Sequence, residues 1–213
     1  MTHAGLTPQM LLRAYAAGVF PMAESRDDPV LHWVDPPLRG VLPLDGFHMS
    51  RSLRRRLTRA PWHATADTAF TEVMRGCADR PETWINGAIF DLCCTLHAAG
   101  FAHSLEVWEG EDLVGGVYGI ALGGAFFAES MFSRRTDASK AALAWLVDRL
   151  RTGGFGLCDT QFLTPHLQSL GGQEIARATY RRRLSEALGR DADFGQGRPP
   201  DPQSLVQRMS QRS

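Results

Sequence analysis

The sequence predicts an α+β fold with a small N-terminal α/β lobe, a larger core domain and a loose C-terminal tail. From residue 86 onward, the hydrophobic pattern indicates a helix, three strands joined by tight turns, a second helix and another strand. Before that point the elements are short and are interrupted by prolines. The final residues are rich in Pro, Gly, Gln and Ser, a composition that does not build a core. We therefore place the lobe at residues 1–62, the core at 63–190 and the tail at 191–213.

The first third of the chain is predicted to contain three helices and two strands. A helix begins where Thr7 can act as N-cap and Pro8 occupies the first helical position. The helix that begins near Ser50 must end before Pro61, because the residue preceding a proline disfavours helical backbone. The predicted elements are a helix that ends at Gly18, strands at 31–34 and 40–44, a helix from about residue 50, and a helix at 68–77.

The core domain follows from the rest of the hydrophobic pattern. A helix from Asn86 to Gly100 carries apolar residues on most faces, so we expect it to be buried. Asp137 is placed to cap a later helix that ends near the Gly153-Gly154 pair. The predicted strands lie at 104–108, 113–120, 125–129 and 157–161, and the later helix covers 138–151.

Composition limits the function classes. The formal net charge is zero and the pI is near 7.1, which excludes a globally basic nucleic-acid binder. The cysteines lack metal-site spacing, and no signal peptide or long apolar span is visible. We therefore expect free and mostly buried thiols, no metal or other cofactor, no membrane association and a cytoplasmic location. The four cysteines are Cys77, Cys93, Cys94 and Cys158.

Polar side chains at the ends of apolar strands are the candidates for chemistry. Asp159 and Gln161 alternate on a strand, so we expect them to face the same side, and Glu129 follows an apolar run. These residue types suit a site that positions its substrates. The residues alone leave a structural interpretation open. In that case Asp159 and Gln161 form a hydrogen-bonded pair, and Glu129 forms a salt bridge to Lys140 or Arg134.

An arginine-rich stretch is the candidate for RNA binding. Arg51, Arg55 and Arg59 recur every four residues, which places them on one face of a helix where they can follow a phosphate backbone. An ordinary solvated helix face is the competing interpretation. A second cluster, Arg177 with residues 181–183, is a weaker candidate because a helix spreads it around its circumference.

Eleven short segments occur in the order found in the leucyl/phenylalanyl-tRNA–protein transferases, and the chain resembles that family over roughly residues 10–188. The segments are 14–15, 18–21, 33–39, 50–53, 83–85, 96–97, 103–108, 113–119, 129–133, 137–140 and 159–161. The resemblance implies an acetyltransferase-like (GNAT-like) core behind a smaller N-terminal domain. It also implies a leucyltransferase that moves Leu or Phe, with some leakage toward Met, from aminoacyl-tRNA to the N-terminal Arg or Lys of a protein. Such a product is marked for N-end-rule degradation, and we expect the enzyme to be a monomer.

The resemblance also implies roles for individual polar residues. Asp159 and Gln161 take the proposed proton relay, in which Gln161 orients the incoming amine through its amide oxygen. Asp159 either polarises the Gln161 amide or balances the charge that develops on the amine. The tRNA's own ribose hydroxyl is the alternative carrier of the proton. Glu129, with Ser130 beside it, corresponds to the aminoacyl-adenosine site and is a candidate for binding the basic N-terminal residue, since a guanidinium pairs with a carboxylate.

Apolar positions take the amino-acid side chain in the resembling proteins. Val117, Phe126 and Cys158 correspond to the pocket for Leu or Phe, and Trp84 is a candidate for stacking on the terminal adenine. Without the resemblance, ordinary core packing is the expected role of these four residues.

The chain also departs from the family pattern. Met22 stands where Trp is common, Cys93 stands near a common Tyr, and Thr164 stands where Asn is frequent. Two other functions compete with aminoacyl transfer. An acetyl-CoA-dependent enzyme would need glycines in a pyrophosphate loop, but residues 134–139 contain none. A non-catalytic tRNA or N-degron binding module would keep the arginines and Glu129 without needing the Asp159 and Gln161 pair.

Overall fold

The computed structural model describes residues 6–28 and 30–211 and shows helices packed around one large mixed sheet. The helices are α1 (Pro8–Ala16), α2 (Arg51–Arg59), α3 (Phe70–Ala78), α4 (Gly87–Ala98), α5 (Ala138–Thr152), α6 (Pro165–Ser169), α7 (Arg177–Leu188) and α8 (Pro202–Ser210). The strands are β1 (Phe20–Met22), β2 (His32–Val34), β3 (Leu38–Val41), β4 (Trp62–Ala66), β5 (Ala102–Glu109), β6 (Asp112–Leu122), β7 (Ala125–Ser133), β8 (Leu157–Gln161) and β9 (Gln173–Ala176). Across these described ranges, none of the helices is long and apolar enough to cross a membrane.

The large sheet has seven strands in the order β4-β5-β6-β7-β8-β3-β9. The β5-β6-β7 meander is antiparallel, as the turn signals predicted, whereas β7 and β8 are parallel and are connected through α5. The small β1–β2 pair stands apart from this sheet. The prediction of a mixed helix and sheet fold is confirmed at this level.

Each face of the large sheet supports its own apolar core. One core joins the sheet to α2, α5 and α8, and the other joins it to α1, α3, α4 and α7. Successive strand residues alternate between the two cores. Phe126 lies in the first and Phe127 in the second, because side chains alternate across a strand. Helix α5 is buried along most of its length, since it packs between the sheet and α8.

The structure differs from the prediction of a loose tail after residue 190. Helix α8 is capped by Asp201, and its side chains Leu205 and Met209 are buried against α2 and α5. Phe194 is also buried, under Arg149. The general composition of the tail concealed the four-residue spacing of Leu205 and Met209, which is enough to bury one face of a short helix.

The prediction of a separate N-terminal lobe places β3 outside the large sheet, but the structure places β3 within it. It is inserted in the large sheet between β8 and β9, with Gly40 opposite Gln161 and Val41 opposite Asp159. A side chain at Gly40 would meet the backbone of Phe162 at 2.7 Å, so the absence of a Cβ permits this close approach. The segment before residue 62 therefore contributes directly to the sheet that positions the polar residues. A domain boundary at that residue stays a prediction.

The cysteines are free thiols. Cys77, Cys93 and Cys158 are buried, as expected, whereas Cys94 is partly exposed on α4. Burial raises the pKa of Cys77 to about 12, which keeps this thiol protonated.

Candidate active site

A half-open cavity of about 270 Å³ lies where the parallel strands β7 and β8 separate. Their pairing ends with Phe127 opposite Asp159. Beyond that point β7 carries a bulge, because Tyr118 pairs with Ser130 and Gly119 with Ala128 while Glu129 is the extra residue. The bulge and the split in the sheet together open a space between two neighbouring strands.

The cavity has an apolar wall and one polar end. The apolar part includes Phe20, Met22, Trp84, Val117, Ala128, Met131, Leu143, Phe162 and Leu167, and the polar part includes Arg80, Glu129, Ser130, Thr160, Gln161 and Thr164. This combination suits a small apolar group that carries a reactive polar end.

Gln161 stands at the end of β8 in a left-handed backbone conformation, with φ of 59°. Its backbone N–H donates to Oδ1 of Asp159 at 2.8 Å, which closes a tight local turn. Its side-chain Nε2 donates to Oε1 of Glu129 at 3.1 Å. Because the amide nitrogen faces Glu129, the amide oxygen is the part of Gln161 suited to accept a hydrogen bond from a molecule in the cavity.

Asp159 belongs to a buried ion pair with Arg39. The guanidinium donates from Nε at 2.9 Å to Oδ1 and from a terminal nitrogen at 2.7 Å to Oδ2, while both side chains are almost fully buried. The rings of Phe20 and Tyr180 lie on the guanidinium, each centroid 4.5 Å from its central carbon. The hydroxyl of Tyr180 also donates to Asp159, at 2.7 Å. The carboxylate is therefore held from several directions.

These contacts differ from the expected relationship between Asp159 and Gln161. One expected role of Asp159, polarising the Gln161 amide, does not match the contacts, because that amide is bound to Glu129 and Asp159 holds the Gln161 backbone. The other expected role, balancing the charge that develops on the amine, stays a prediction. The positive φ of Gln161 breaks the regular alternation of the strand. Thr160 and Gln161 consequently both border the cavity, whereas the fully buried Asp159 holds the Gln161 backbone through a hydrogen bond.

Glu129 has an unusual environment for a carboxyl group. Burial raises its pKa to about 8, and nearby Asp159 contributes to the rise. A hydrogen bond from the Tyr15 hydroxyl and the charge of Arg39 oppose the rise. The two expected salt-bridge partners lie elsewhere, since Lys140 pairs with Asp137 at 2.8 Å and Arg134 donates to the Leu113 carbonyl. Glu129 is consequently suited to respond to a cation brought by a ligand.

The remaining predicted substrate residues divide into two groups. Trp84, Val117 and Ser130 border the cavity together with Glu129 and Gln161. Phe126 and Cys158 lie opposite each other on β7 and β8, each 1% exposed, and they belong to the core that also contains Val117. They form the second layer behind the cavity wall.

Several residues at the site were given no role by the sequence prediction. Arg39 and Tyr15 fall within matched segments, but nothing in their spacing indicated that they meet Asp159 and Glu129. Tyr180 lies on α7, which the pattern did not resolve. Thr160 borders the cavity, and its hydroxyl has no hydrogen-bond partner within the described residues. The hydrogen-bonding capacity of that buried hydroxyl is unused.

Of the three residues that depart from the family pattern, two border the cavity and one is buried. Met22 and Thr164 border the cavity, and Thr164 caps α6 by accepting a hydrogen bond from the Leu167 backbone at 3.2 Å. Cys93 is buried, and both this burial and Glu129 nearby raise its thiol pKa. Met22 thus changes the cavity wall directly, whereas Cys93 lies behind it.

The predicted arginine stripe, Arg51, Arg55 and Arg59, lies on the exposed face of α2. Leu53 and Leu57 bury the opposite face of the helix, which fixes the direction of the arginines. In the second cluster, Arg177 and Arg181 both pair with Asp35, at 3.2 Å and 2.7 Å, so that part of its charge is neutralised. The fold therefore favours α2 as the cationic surface, and RNA binding there stays a prediction.

The fold and the site define a mixed α/β protein with a cavity in which an apolar wall adjoins an amide and a carboxyl group. The family pattern of leucyl/phenylalanyl-tRNA protein transferases matches residues 41–185, and that of their N-terminal domain matches residues 5–37. Similar relatives, each named leucyl/phenylalanyl-tRNA–protein transferase, occur in Cereibacter sphaeroides at 66% identity over the whole of both chains and in Ruegeria sp. at 64% over 98% of this chain and 99% of the relative. A relative from Paracoccus denitrificans with the same name is 55% identical over 98% of this chain and 99% of its own.

The chain belongs to the leucyl/phenylalanyl-tRNA protein transferase family. The family resemblance read from the short sequence segments is thereby confirmed.

Proposed function

We propose that this chain transfers Leu or Phe from aminoacyl-tRNA to the N-terminal Arg or Lys of an acceptor protein. The observation that carries the proposal is the cavity, in which an apolar wall with Val117 and Trp84 faces the hydrogen-bonded Glu129 and Gln161 pair. An apolar side chain fits against the wall while its ester carbonyl remains near the polar end. The family membership supports both the donor and the reaction class.

The reaction is the aminolysis of an ester. The acceptor nitrogen attacks the ester carbonyl carbon, a C–N bond forms, and the C–O bond to the terminal ribose breaks. The amine loses one proton and the departing ribose oxygen gains one. An α-amino group has a pKa of roughly 7.7 to 8.0, so a useful fraction is already neutral near pH 7. Orientation of the two reactants, which contributes up to roughly 7 to 11 kcal/mol, is therefore the main requirement.

Each polar residue has a distinct part in this proposal. The Gln161 amide oxygen accepts a hydrogen bond from the attacking amine, while its nitrogen is held by Glu129. Asp159 keeps the Gln161 backbone in place and acts as a positioning residue. The Thr160 hydroxyl is a candidate donor to the oxygen that becomes negative in the tetrahedral intermediate. The proton passes to the ribose oxygen, either directly or through Gln161.

Glu129 is the proposed binding group for the positive charge of the acceptor. Its raised pKa means that the empty site holds a mostly neutral carboxyl group near pH 7. An approaching cation favours the ionised form, because an opposite charge lowers a carboxyl pKa. Acceptor binding and release of the Glu129 proton are then coupled.

The remaining residues of the cavity and the arginines of α2 bind the aminoacyl-tRNA donor in this proposal. Trp84 stacks on the terminal adenine, and Ser130 contributes a hydroxyl beside it at the cavity edge. Val117 forms the wall, with Phe126 and Cys158 setting its shape from behind. Because an apolar pocket separates similar side chains only about 10 to 200-fold, some transfer of Met is expected. The arginine stripe on α2 binds the tRNA backbone.

Other features complete the proposal. The helix and meander arrangement of α4, β5, β6, β7 and α5 is compatible with an acetyltransferase-like core. Aminoacyl-tRNA is found in the cytoplasm, and we propose that the chain acts there as a monomer. The residue that it adds would mark the acceptor for N-end-rule degradation.

The test is transfer of radiolabelled Leu and Phe from charged tRNA to two peptides that differ only in an N-terminal Arg or Met. Label on the Arg peptide alone is expected, and replacing that Arg by Lys should preserve it. If tRNA binds but neither peptide is labelled, the alternative of a non-catalytic tRNA or N-degron binding module takes precedence.

A further inference from the structure

A second depression of about 440 Å³ opens beside the cavity, and we call it the outer groove. It shares Arg80 and Met131 with the cavity, so the two spaces adjoin along these side chains. Its other lining residues are Gly76, Asp79, Phe132, Ser133, Arg134, Ser139 and His166. The aminoacyl group and the adenine, as placed above, leave the outer groove empty.

The outer groove has cationic walls. The guanidinium of Arg134 lies 5.2 Å from the Phe132 ring centroid, and one of its terminal nitrogens donates to the Leu113 carbonyl at 3.1 Å. Within the described residues its other N–H groups form no hydrogen bond to a carboxylate. Arg80 stands on the other side, where it donates to the Met131 carbonyl. The two guanidinium groups outweigh the single carboxylate of Asp79 on the rim.

His166 lines the outer groove and has a ring nitrogen whose hydrogen-bonding capacity is unused. Its Nε2 atom is buried and has no hydrogen-bond partner within the described part of the chain. Burial and the nearby Lys140 both lower the pKa of His166, which favours the neutral ring with a single N–H. A buried polar atom without a partner is unfavourable, and in the tautomer that carries the proton on Nε2 this atom can donate to an acceptor oxygen of a ligand.

The outer groove also lies on the way from the cavity to the arginine stripe. Lys140, which influences His166, pairs with Asp137 at 2.8 Å. Asp137 in turn borders a further depression whose other walls include Arg55 and Arg59 of α2. A chain that runs from α2 to the cavity over this surface therefore crosses the outer groove.

We propose that the outer groove binds the phosphodiester that joins the terminal adenosine of the donor to the preceding nucleotide. Arg134 and His166 donate to its oxygens, since guanidinium and imidazole N–H groups match phosphate acceptors. Arg80 holds the boundary between the phosphate and the aminoacyl group. This inference rests on the proposed function, because it assigns a position to one part of the same donor.

The experiment compares two minimal donors, the phenylalanyl ester of adenosine and the phenylalanyl ester of the dinucleotide cytidylyl-adenosine. The dinucleotide carries the phosphodiester and the adenosine does not, while both are too short to reach α2. For the unmodified chain we expect kcat/KM for the dinucleotide to exceed that for adenosine by about tenfold, the lower limit expected for a hydrogen bond to a charged group. Arg134→Gln should reduce that ratio to about twofold, and His166→Asn should reduce it to about fivefold, since a neutral donor contributes less.

The control is Arg198→Gln. Arg198 is an exposed arginine beside Gly197, whose carbonyl accepts a hydrogen bond from Arg149 near the C-terminal end of α5. This variant removes the same charge but should keep the tenfold ratio.

Three outcomes decide the matter. A ratio that falls in the Arg134 and His166 variants but not in the control supports the phosphate site. Equal activity of the unmodified chain toward both donors, or a loss in Arg134→Gln that is the same for both, overturns the phosphate site and leaves the proposed function intact. Transfer from neither minimal donor nor charged tRNA overturns the proposed function and this inference with it.

Discussion

Gln161 and Glu129 are joined by a hydrogen bond of 3.1 Å across the point where β8 and β7 separate. One residue reaches this contact because its backbone is left-handed, and the other because it is the extra residue of a bulge. Two local irregularities of the sheet thus bring an amide and a carboxyl group together beside the cavity.

Replacing Gln161 separates its chemical role from its backbone conformation. We expect Gln161→Ala and Gln161→Gly to lower single-turnover transfer by a similar factor, roughly 100-fold, since both remove the group that orients the amine. The two variants should differ in urea unfolding. Glycine adopts positive φ without strain, so Gln161→Gly should be more stable than Gln161→Ala by about 1 kcal/mol. A tRNA affinity that falls as far as turnover in either variant would contradict this role.

The Arg39 and Asp159 pair predicts a large loss of stability when it is broken on one side. Arg39→Met leaves the Asp159 carboxylate buried with fewer partners, so we expect a decrease of about 3 to 5 kcal/mol in the free energy of unfolding. Tyr180→Phe removes only one hydrogen bond to the same carboxylate and should cost about 1 to 2 kcal/mol. Urea unfolding measures both. A loss below that of Tyr180→Phe would refute a central role for Arg39.

Glu129 predicts a specific dependence of stability on pH. Its folded-state pKa of about 8 lies above the unfolded value, so between these values the folded protein binds a proton that the unfolded chain does not. Stability from this group is therefore complete below the unfolded pKa and is lost as pH rises toward 8. Glu129→Gln cannot lose that proton. Its stability relative to the unmodified chain should rise by about 2 kcal/mol between pH 5 and pH 8, a value reduced for the solvent at the open cavity.

The control for this prediction is Glu111→Gln, a substitution at an exposed position of the turn between β5 and β6. The stability difference between this variant and the unmodified chain should not change over the same pH range. Urea unfolding at both pH values measures each pair. If the Glu129→Gln difference is as flat as that of the control, the carboxyl group does not titrate in the way proposed.

The exposed face of α2 predicts a salt-dependent effect on tRNA binding. Substituting both Arg51 and Arg55 by Gln should weaken binding on the order of tenfold at low salt and reduce the slope of log Kd against log salt by about 1.8. The matched pair of substitutions at Arg177 and Arg181 removes two arginines that are already paired with Asp35, so its effect should be smaller. Filter binding at several salt concentrations compares the two double variants. The same loss at low and high salt for the α2 pair would exclude a phosphate contact.

Local sequence signals predicted the elements that form through near neighbours. The cap at Thr7, the glycine turns of the β5-β6-β7 meander and helix α5 all appear where their patterns placed them. Helix α4 was predicted to be buried on most faces, but it buries only one face, with Ile89, Cys93 and Leu96. The same signals overlooked α8, because only Leu205 and Met209 mark its buried face. Compositional averages hide a pattern that consists of two residues.

The sequence predicted only part of the candidate site, because several of its contacts join residues that are far apart along the chain. Gln161 was recognisable as a polar residue at a strand end, and Glu129 as one that follows an apolar run, although β7 continues past Glu129 to Ser133. Trp84 and Val117 border the cavity with them. The partners Arg39, Tyr15 and Tyr180 come from distant parts of the chain. Spacing along the sequence carries no information about contacts that depend on how the sheet is assembled. For the same reason, only the structure could show that the Gln161 amide is bound to Glu129 and not to Asp159.

The position of β3 has a consequence for how the chain is made. This strand is synthesised early, yet both of its neighbours in the sheet, β8 and β9, are synthesised near the end. A growing chain must therefore leave β3 unpaired on both edges until most of the protein has emerged from the ribosome. Its first partner brings Asp159 to Arg39, so the buried charge of the arginine is neutralised only in the last stage of folding. Nascent chains stalled before β8 should then be good substrates for chaperones, and those stalled after β9 poor ones.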